Sequence, residues 1–226
     1  MKTLDENKLV VRRCDPHIDS LPHKKAAQKS RGYLGSYLSW GETAPDWTIK
    51  QHTLFLLDSS NQEKLQTAYV AYYEEKFAGL FVLGLENDTF GGQICYWTPA
   101  NMSGKGIATT VTDYLTEMAF NKFDWTYVVL HIDELNAGST RVAEKCGFHV
   151  LEDYECEKNG SHGSGRFKVW IKYSPDLLKE TEAKRQEIFK NREVKPRSSW
   201  HSTGTERIAN DIFNNPIVFE QAQELH

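Results

Sequence analysis

The stretch Cys95 to Phe120 reads CYWTPANMSGKGIATTVTDYLTEMAF. It begins with strand-forming residues, tightens at Gly104-Lys105-Gly106, and then repeats apolar residues at Ala108, Val111, Leu115 and Ala119, the spacing of one helix face. Strand, glycine-rich turn and helix start together make an anion site. Backbone N–H groups converge there, and the helix dipole adds positive potential. A phosphate-bearing ligand is therefore expected at Gly104–Ala108.

The rest of the chain bounds what that ligand serves. With 226 residues there is room for one sizeable core, or for one domain and an extension. Residues are 39% hydrophobic and 26% charged, which suits a globular protein. The net charge of −4, with Lys and Arg interleaved among acids, argues against a nucleic-acid surface. No apolar run after Met1 resembles a signal peptide, and none is long enough to span a membrane, so a cytoplasmic location is expected. The four cysteines (Cys14, Cys95, Cys146 and Cys156) form no CxxC pair and read as buried reduced thiols. Cys146 with His149 is too little for a metal site, so no metal is expected.

In chain order, Lys8–Cys14 is a strand, and Asp15-Pro16 caps and opens a helix. Helical segments over His17–Trp40 are expected to break near Pro22 and at Gly32–Gly35. Pro45-Asp46 opens another helix over Trp47–Asn61. Ala68–Tyr73 and Phe77–Leu85 form a hairpin around Glu75-Lys76, and Gln93–Trp97 is the next strand. After the central helix, Trp125–Ile132 reads as a buried strand, followed by a short helix that ends at Gly147. His149–Glu157 and Arg166–Tyr173 are strands joined by a Gly/Ser-rich loop. A charged helix over Asp176–Glu193 and a polar tail to His226 complete the chain. Strands alternating with helices predict a mixed α/β sheet. The expected division is a domain over 1–173 and an extension over 174–226.

That order and two motifs resemble the GNAT acyl-CoA N-acyltransferases over about Leu9 to Tyr173. The family's acyl-CoA loop runs Gln or Arg, two residues, Gly, one residue, then Gly or Ala. Here the segment is Ser103-Gly104-Lys105-Gly106-Ile107-Ala108, with Ser103 departing from the pattern. Asn136-Ala137-Gly138-Ser139, continuing to Glu144-Lys145-Cys146-Gly147-Phe148, is similar to the family's Asn-x-x-Ser…Glu-Lys-x-Gly-Phe segment. Tyr96-Trp97 before the loop, and Leu34–Trp40 (LGSYLSW), resemble the RimJ/RimL type, which acetylates protein N-termini. The resemblance implies a GNAT fold whose strand Ile94–Trp97 splays from its neighbour and pairs with the pantetheine arm. It also implies acetyl-CoA as cosubstrate, held by Tyr96, Trp97, Ser103, Gly104, Lys105, Gly106, Ile107 and Ala108 on one side and by Asn136 and Ser139 on the other.

Acyl transfer to an amine needs a base, an oxyanion donor and a proton for the leaving thiolate. Many GNAT enzymes use a Tyr for that last step. Its position here is Ala143, so the resemblance passes the role to Ser139, whose alternative is to cap the helix Thr140–Lys145. The family's basic Glu falls by count on Lys158. Of Glu152, Glu155 and Glu157, the last is favoured, with Glu155 on the same face and Glu152 on the other. His131 is a second base candidate. Tyr33, Tyr37, Trp40 and Trp47 either wall the acceptor site or belong to the core. The acceptor implied is a protein N-terminal amine. A small amine is the alternative, for which Glu42, Asp46, Glu74 and Glu75 are available acids, and a third reading is a GNAT-fold binding module without turnover. A homodimer through the apolar residues of the tail is possible on sequence grounds.

Overall fold

A computed structural model describes residues 4–61, 65–85, 90–155 and 163–181. By its contacts the chain divides between Lys172 and Tyr173. The first unit holds a seven-stranded mixed sheet in the order β1-β2-β3-β4-β5-β7-β6. The strands are β1 Leu9–Arg13, β2 Gln66–Tyr73, β3 Lys76–Leu85, β4 Gly91–Trp97, β5 Tyr127–Asp133, β6 His149–Glu155 and β7 Arg166–Tyr173. Neighbours from β1 to β4 run antiparallel, as do β6 and β7, whereas β4 and β5 run parallel.

Helices α1 Pro16–Lys29, α2 Ile49–Ser59, α3 Ile107–Phe123 and α4 Ala137–Lys145 cover the sheet. Alternation along the strands divides the core in two. Val111, Leu115 and Ala119 of α3 pack with Phe81, Leu83, Ile94, Val128 and Leu130. Ala26, Ala27 and Leu56 of α1 and α2 pack with Val70, Leu80 and Trp97. Burying a side chain of Leu or Phe size in such a layer contributes roughly 1.5–3 kcal/mol.

Local chemistry sets the ends. Asp15 caps α1, accepting from the His17 N–H, and Thr48 with Gln51 forms a capping box on α2. Pro45 and Asp46 lie in a separate 3-10 turn, Ala44–Asp46, so α2 starts later than the sequence suggests. The expected break at Pro22 does not occur, because α1 runs through it. The missing N–H would have met the carbonyl of Ile18, an exposed residue. The inward face of α1 (Asp19, Ser20, His23, Ala26, Ala27) is buried on both sides of the proline.

The β2–β3 turn falls one residue earlier than expected, on Glu74 and Glu75. Both have positive φ (49° and 63°), as a type I′ turn requires and as glutamate disfavours. Lys8 compensates. Its carbonyl accepts the Glu74 N–H at 3.1 Å and its Nζ pairs with Glu74 Oε1 at 3.0 Å.

Two buried polar groups tie α1 to the sheet and to α2. Asp19 accepts from Arg12 through two nitrogens (2.6 and 2.9 Å), from Tyr72 Oη (2.7 Å) and from the Asp15 N–H (2.8 Å). Burial works to raise its pKa, but these donors, Arg12 foremost, hold it below the ordinary Asp value. His23 and His52 are both fully buried and share a hydrogen bond, Nδ1 to Nδ1, of 2.8 Å. Rings of Trp40, Phe55, Phe77 and Trp97 surround His23. Nothing in the spacing of the two histidines announces the pair, although each sits on the inward face of its helix.

In the second unit, residues 175–181 are helical. The expected remainder of that helix and the tail over 182–226 lie outside the described residues, as do Cys156 and most of the β6–β7 loop. Of the cysteines expected to be buried, Cys146 is buried and Cys14 half-buried, but Cys95 is exposed.

Candidate active site

The site begins where β4 and β5 separate. Their pairing covers only Gly91, Gly92 and Gln93 against Tyr127, Val128 and Val129. Aromatic packing pins that end: a Cβ on Gly91 would lie 2.6 Å from the Tyr127 ring, and one on Gly92 2.3 Å from Trp125. Beyond Gln93, β4 stays with β3 through Trp97, while β5 moves off beside β7. Ile94–Trp97 and Leu130–Asp133 thus face a gap with backbone donors and acceptors toward it. An extended chain of alternating amides fits such a gap.

At the far end of the gap stands the start of α3. Gly104 and Gly106 have φ of +75° and +89°, the left-handed region that glycine enters without strain. Gly106 is the residue before the helix, and the loop from Ser103 to Gly106 is exposed. N–H groups in the first turn of a helix have no acceptor within it. Those of Ile107 and Ala108 therefore join the glycine amides in facing outward as a nest for an anion. The Ile107 side chain is buried in the core, so its backbone is what the loop offers a ligand. Lys105 turns its Nζ over the Tyr73 ring, 5.9 Å from the centroid, and toward Met102 Sδ at 3.6 Å.

The opposite lip is the β5–α4 loop. Asp133 accepts from the Leu135 N–H (3.0 Å) and from Ser164 N–H and Oγ (2.8 and 3.1 Å), which fixes the approach to α4. Asn136 is the cap of α4, its Oδ1 accepting from the Ser139 N–H at 3.1 Å. This removes the alternative in which Ser139 caps that helix. Ser139 lies inside the first turn, with its hydroxyl spared from capping.

Tyr96 and Trp97 point to opposite sides of β4. Trp97 is buried in the α1–α2 core, so only its backbone lines the gap. Tyr96 stacks on Phe81 with centroids 5.6 Å apart, on the α3–α4 side. The candidate acceptor aromatics also divide. Trp40 and Trp47 pack on each other and on Phe55 in the core. Tyr33 Oη donates to Ser103 Oγ at 3.2 Å, and Tyr37 Oη donates to the Leu135 carbonyl at 2.9 Å. The α1–α2 connection is therefore fastened to both lips of the gap. No spacing rule in the sequence signals these two contacts, which span 70 and 98 positions.

Of the base candidates, Glu157 lies outside the described residues. Glu155 pairs with Arg166 Nε at 3.1 Å. Exposed His131 shares a 3.0 Å hydrogen bond between its Nδ1 and Tyr154 Oη, and the Tyr154 ring stacks on Phe167. Asp46 is paired with Arg31 at 2.6 Å, and Glu74 with Lys8 across the sheet. Among the described residues no group of three or more His, Cys, Asp or Glu is placed to hold a metal ion, and no helix is long and apolar enough to cross a membrane.

A family model described as an acetyltransferase (GNAT) domain matches residues 5–149. Among solved structures, a RimL ribosomal L7/L12 alpha-N-protein acetyltransferase in complex with coenzyme A is similar at a TM-score of 0.66 and 15% identity, covering 74% of this chain and 94% of that one. The microcin C7 self-immunity acetyltransferase MccE, in complex with acetyl-CoA and AMP, gives 0.65 and 19%, covering 74% and 93%. RimJ of Mycobacterium smegmatis, in complex with CoA-disulfide, gives 0.64 and 13%, covering 75% and 83%. No protein in the curated set matches the sequence.

Proposed function

This chain belongs to the GNAT acetyltransferase family, and from that membership we propose that it transfers an acetyl group from acetyl-CoA to the N-terminal amine of a protein. The observation that carries the reading is the gap between β4 and β5 with the nest at Gly104–Ala108 at its end. Pyrophosphate suits the nest, with the amides of Gly104, Gly106 and Ala108 as donors. A pantetheine arm, with its two amides, suits the unpaired length of Ile94–Trp97. Asn136 and Ser139 line the other lip.

The acetyl group then lies near the tip of β4, below the α1–α2 connection. In this reading a backbone N–H of that strand stabilises the oxyanion, and Ser139 gives the departing sulfur a proton. For the base, Glu157 keeps its place as a proposal from sequence. His131 is supported by its position on β5 at the gap and by the Tyr154 hydroxyl that orients its ring. The acceptor assignment draws on two of the acids: Asp46 and Glu74 are already paired with Arg31 and Lys8, which disfavours a polycation pocket.

The test is thiol release from acetyl-CoA with a library of free N-terminal peptides, beside the same peptides with blocked N-termini and a panel of small amines. Release on free peptides alone is expected. Release on small amines alone would move the assignment to those. Acetyl-CoA binding without release on any amine would leave a binding module.

A further inference from the structure

The site contains a hydroxyl that the fold leaves without a partner. Tyr96 Oη is buried and makes no hydrogen bond within 3.5 Å. An orphaned buried hydroxyl costs about 1–3 kcal/mol, so its persistence calls for a reason. The ring is held by its stack on Phe81, which aims the hydroxyl at α4. Ser139 is the hydroxyl that interacts with it, short of a formed hydrogen bond, and Cys146 is also near. Ser139, Ala143 and Cys146 share one face of α4, at i, i+4 and i+7. Ala143 between them is fully buried and small. The hydroxyl therefore arrives from the sheet at the helix face that carries Ser139, whose own hydroxyl is not used for capping.

We propose that Tyr96 is the positioning residue for Ser139, donating its Oη–H to Ser139 Oγ so that the Ser139 proton points at the sulfur of acyl-CoA. This rests on the acetyl-transfer reading above. As the C–S bond breaks, its electron pair stays on sulfur, and the Ser139 Oγ–H proton passes to it. Ser139 regains a proton from the acceptor nitrogen, which sheds one on becoming an amide. Tyr96 keeps its own proton throughout. Burial, the larger influence, pushes the Tyr96 pKa well above the ordinary tyrosine value, and Ser139 offsets part of this. A tyrosine that stays protonated is what the role needs.

The experiment combines Tyr96→Phe, Ser139→Ala and the double variant. Phe keeps the stack on Phe81 and removes the orphaned hydroxyl, so the melting temperature is expected to hold or rise and CoA affinity to stay as in the unaltered protein. The expected loss in kcat for Tyr96→Phe is about tenfold, that of one hydrogen bond acting on a developing charge, with KM for acetyl-CoA unchanged. The double variant is expected to be no slower than Ser139→Ala alone. Unaltered kcat in Tyr96→Phe, or penalties that multiply in the double variant, would overturn the proposal. A second readout needs no acceptor: the ultraviolet thiolate absorbance of bound CoA, titrated with pH. Tyr96→Phe and Ser139→Ala are each expected to raise the pKa of the bound thiol. No change in Tyr96→Phe refutes the positioning role even if no amine is ever acetylated. An unaltered protein that binds CoA and acetylates nothing refutes the acetyl-transfer reading instead.

Discussion

Acidification from pH 7 to pH 5 is expected to weaken the first unit by about 2 kcal/mol, through the buried pair His23 and His52. Burial, with His52 beside it, lowers the His23 pKa to about 3, against about 6.5 in an unfolded chain. His52 is lowered as well, chiefly by burial. A histidine whose folded pKa is depressed stays neutral in the native state while the unfolded chain takes up protons. The unfolded state then binds more protons below pH 6.5, and stability falls as pH falls, at up to 1.36 kcal/mol per pH unit for each such group. For His23 alone the loss reaches about 2 kcal/mol at pH 5 and about 3 kcal/mol at pH 4. Asp19 does not confuse this window: its lowered pKa protects stability until pH drops below the ordinary Asp range. The assay is urea unfolding at a series of pH values, where 2 kcal/mol moves the midpoint by about 1 M. The control is the double variant His23→Leu, His52→Leu. Replacing both partners with apolar groups leaves neither one orphaned and is expected to flatten the slope. An unaltered protein with the same midpoint at pH 7 and pH 5 would refute the reasoning, as would an unchanged slope in the double variant.

Three further outcomes follow from the same geometry. Gly106→Pro is expected to abolish CoA binding measured by calorimetry, because proline removes an N–H and cannot adopt a φ of +89°; wild-type affinity would displace the pyrophosphate from this loop. Asp19→Ala removes the acceptor of Arg12 and Tyr72 and is expected to cost about 3 kcal/mol in denaturant unfolding, with a loss under 1 kcal/mol counting against it. Glu75→Gly relieves a positive φ and keeps the Lys8–Glu74 pair, for an expected gain of about 1 kcal/mol and a rise of roughly 2–4 °C in Tm.

Much of this fold is written in short-range patterns. The 3.6-residue repeat of α3, the Asp15 cap and the glycines at 104, 106 and 147 each act within a turn of themselves, and the sequence shows them directly. The failures share a different cause. Pro22 was expected to end a helix because its local cost is visible, while the inward face of α1 that outweighs it is not. Alternation along β4 puts Tyr96 and Trp97 on opposite sides, but only packing decides that Trp97 enters the α1–α2 core. Cys95 is exposed for the same reason. Asn136 and Ser139 are both good caps in composition, and the loop clamped by Asp133 decides between them. His23 with His52, Tyr33 with Ser103 and Tyr37 with Leu135 depend on long-range closure, for which spacing offers no signal.

The parting of β4 and β5 also bears on aggregation. In most sheets only the outermost strands present open hydrogen-bonding groups, and they are where stray chains add. This sheet carries a second such opportunity in its interior, along Ile94–Trp97, sized for an extended polypeptide as much as for a pantetheine arm. On the proposed function, an acyl-CoA molecule lying there would act as a removable plug. Protein without it would then expose a template for strand addition, and storage with CoA is expected to keep the chain dispersed.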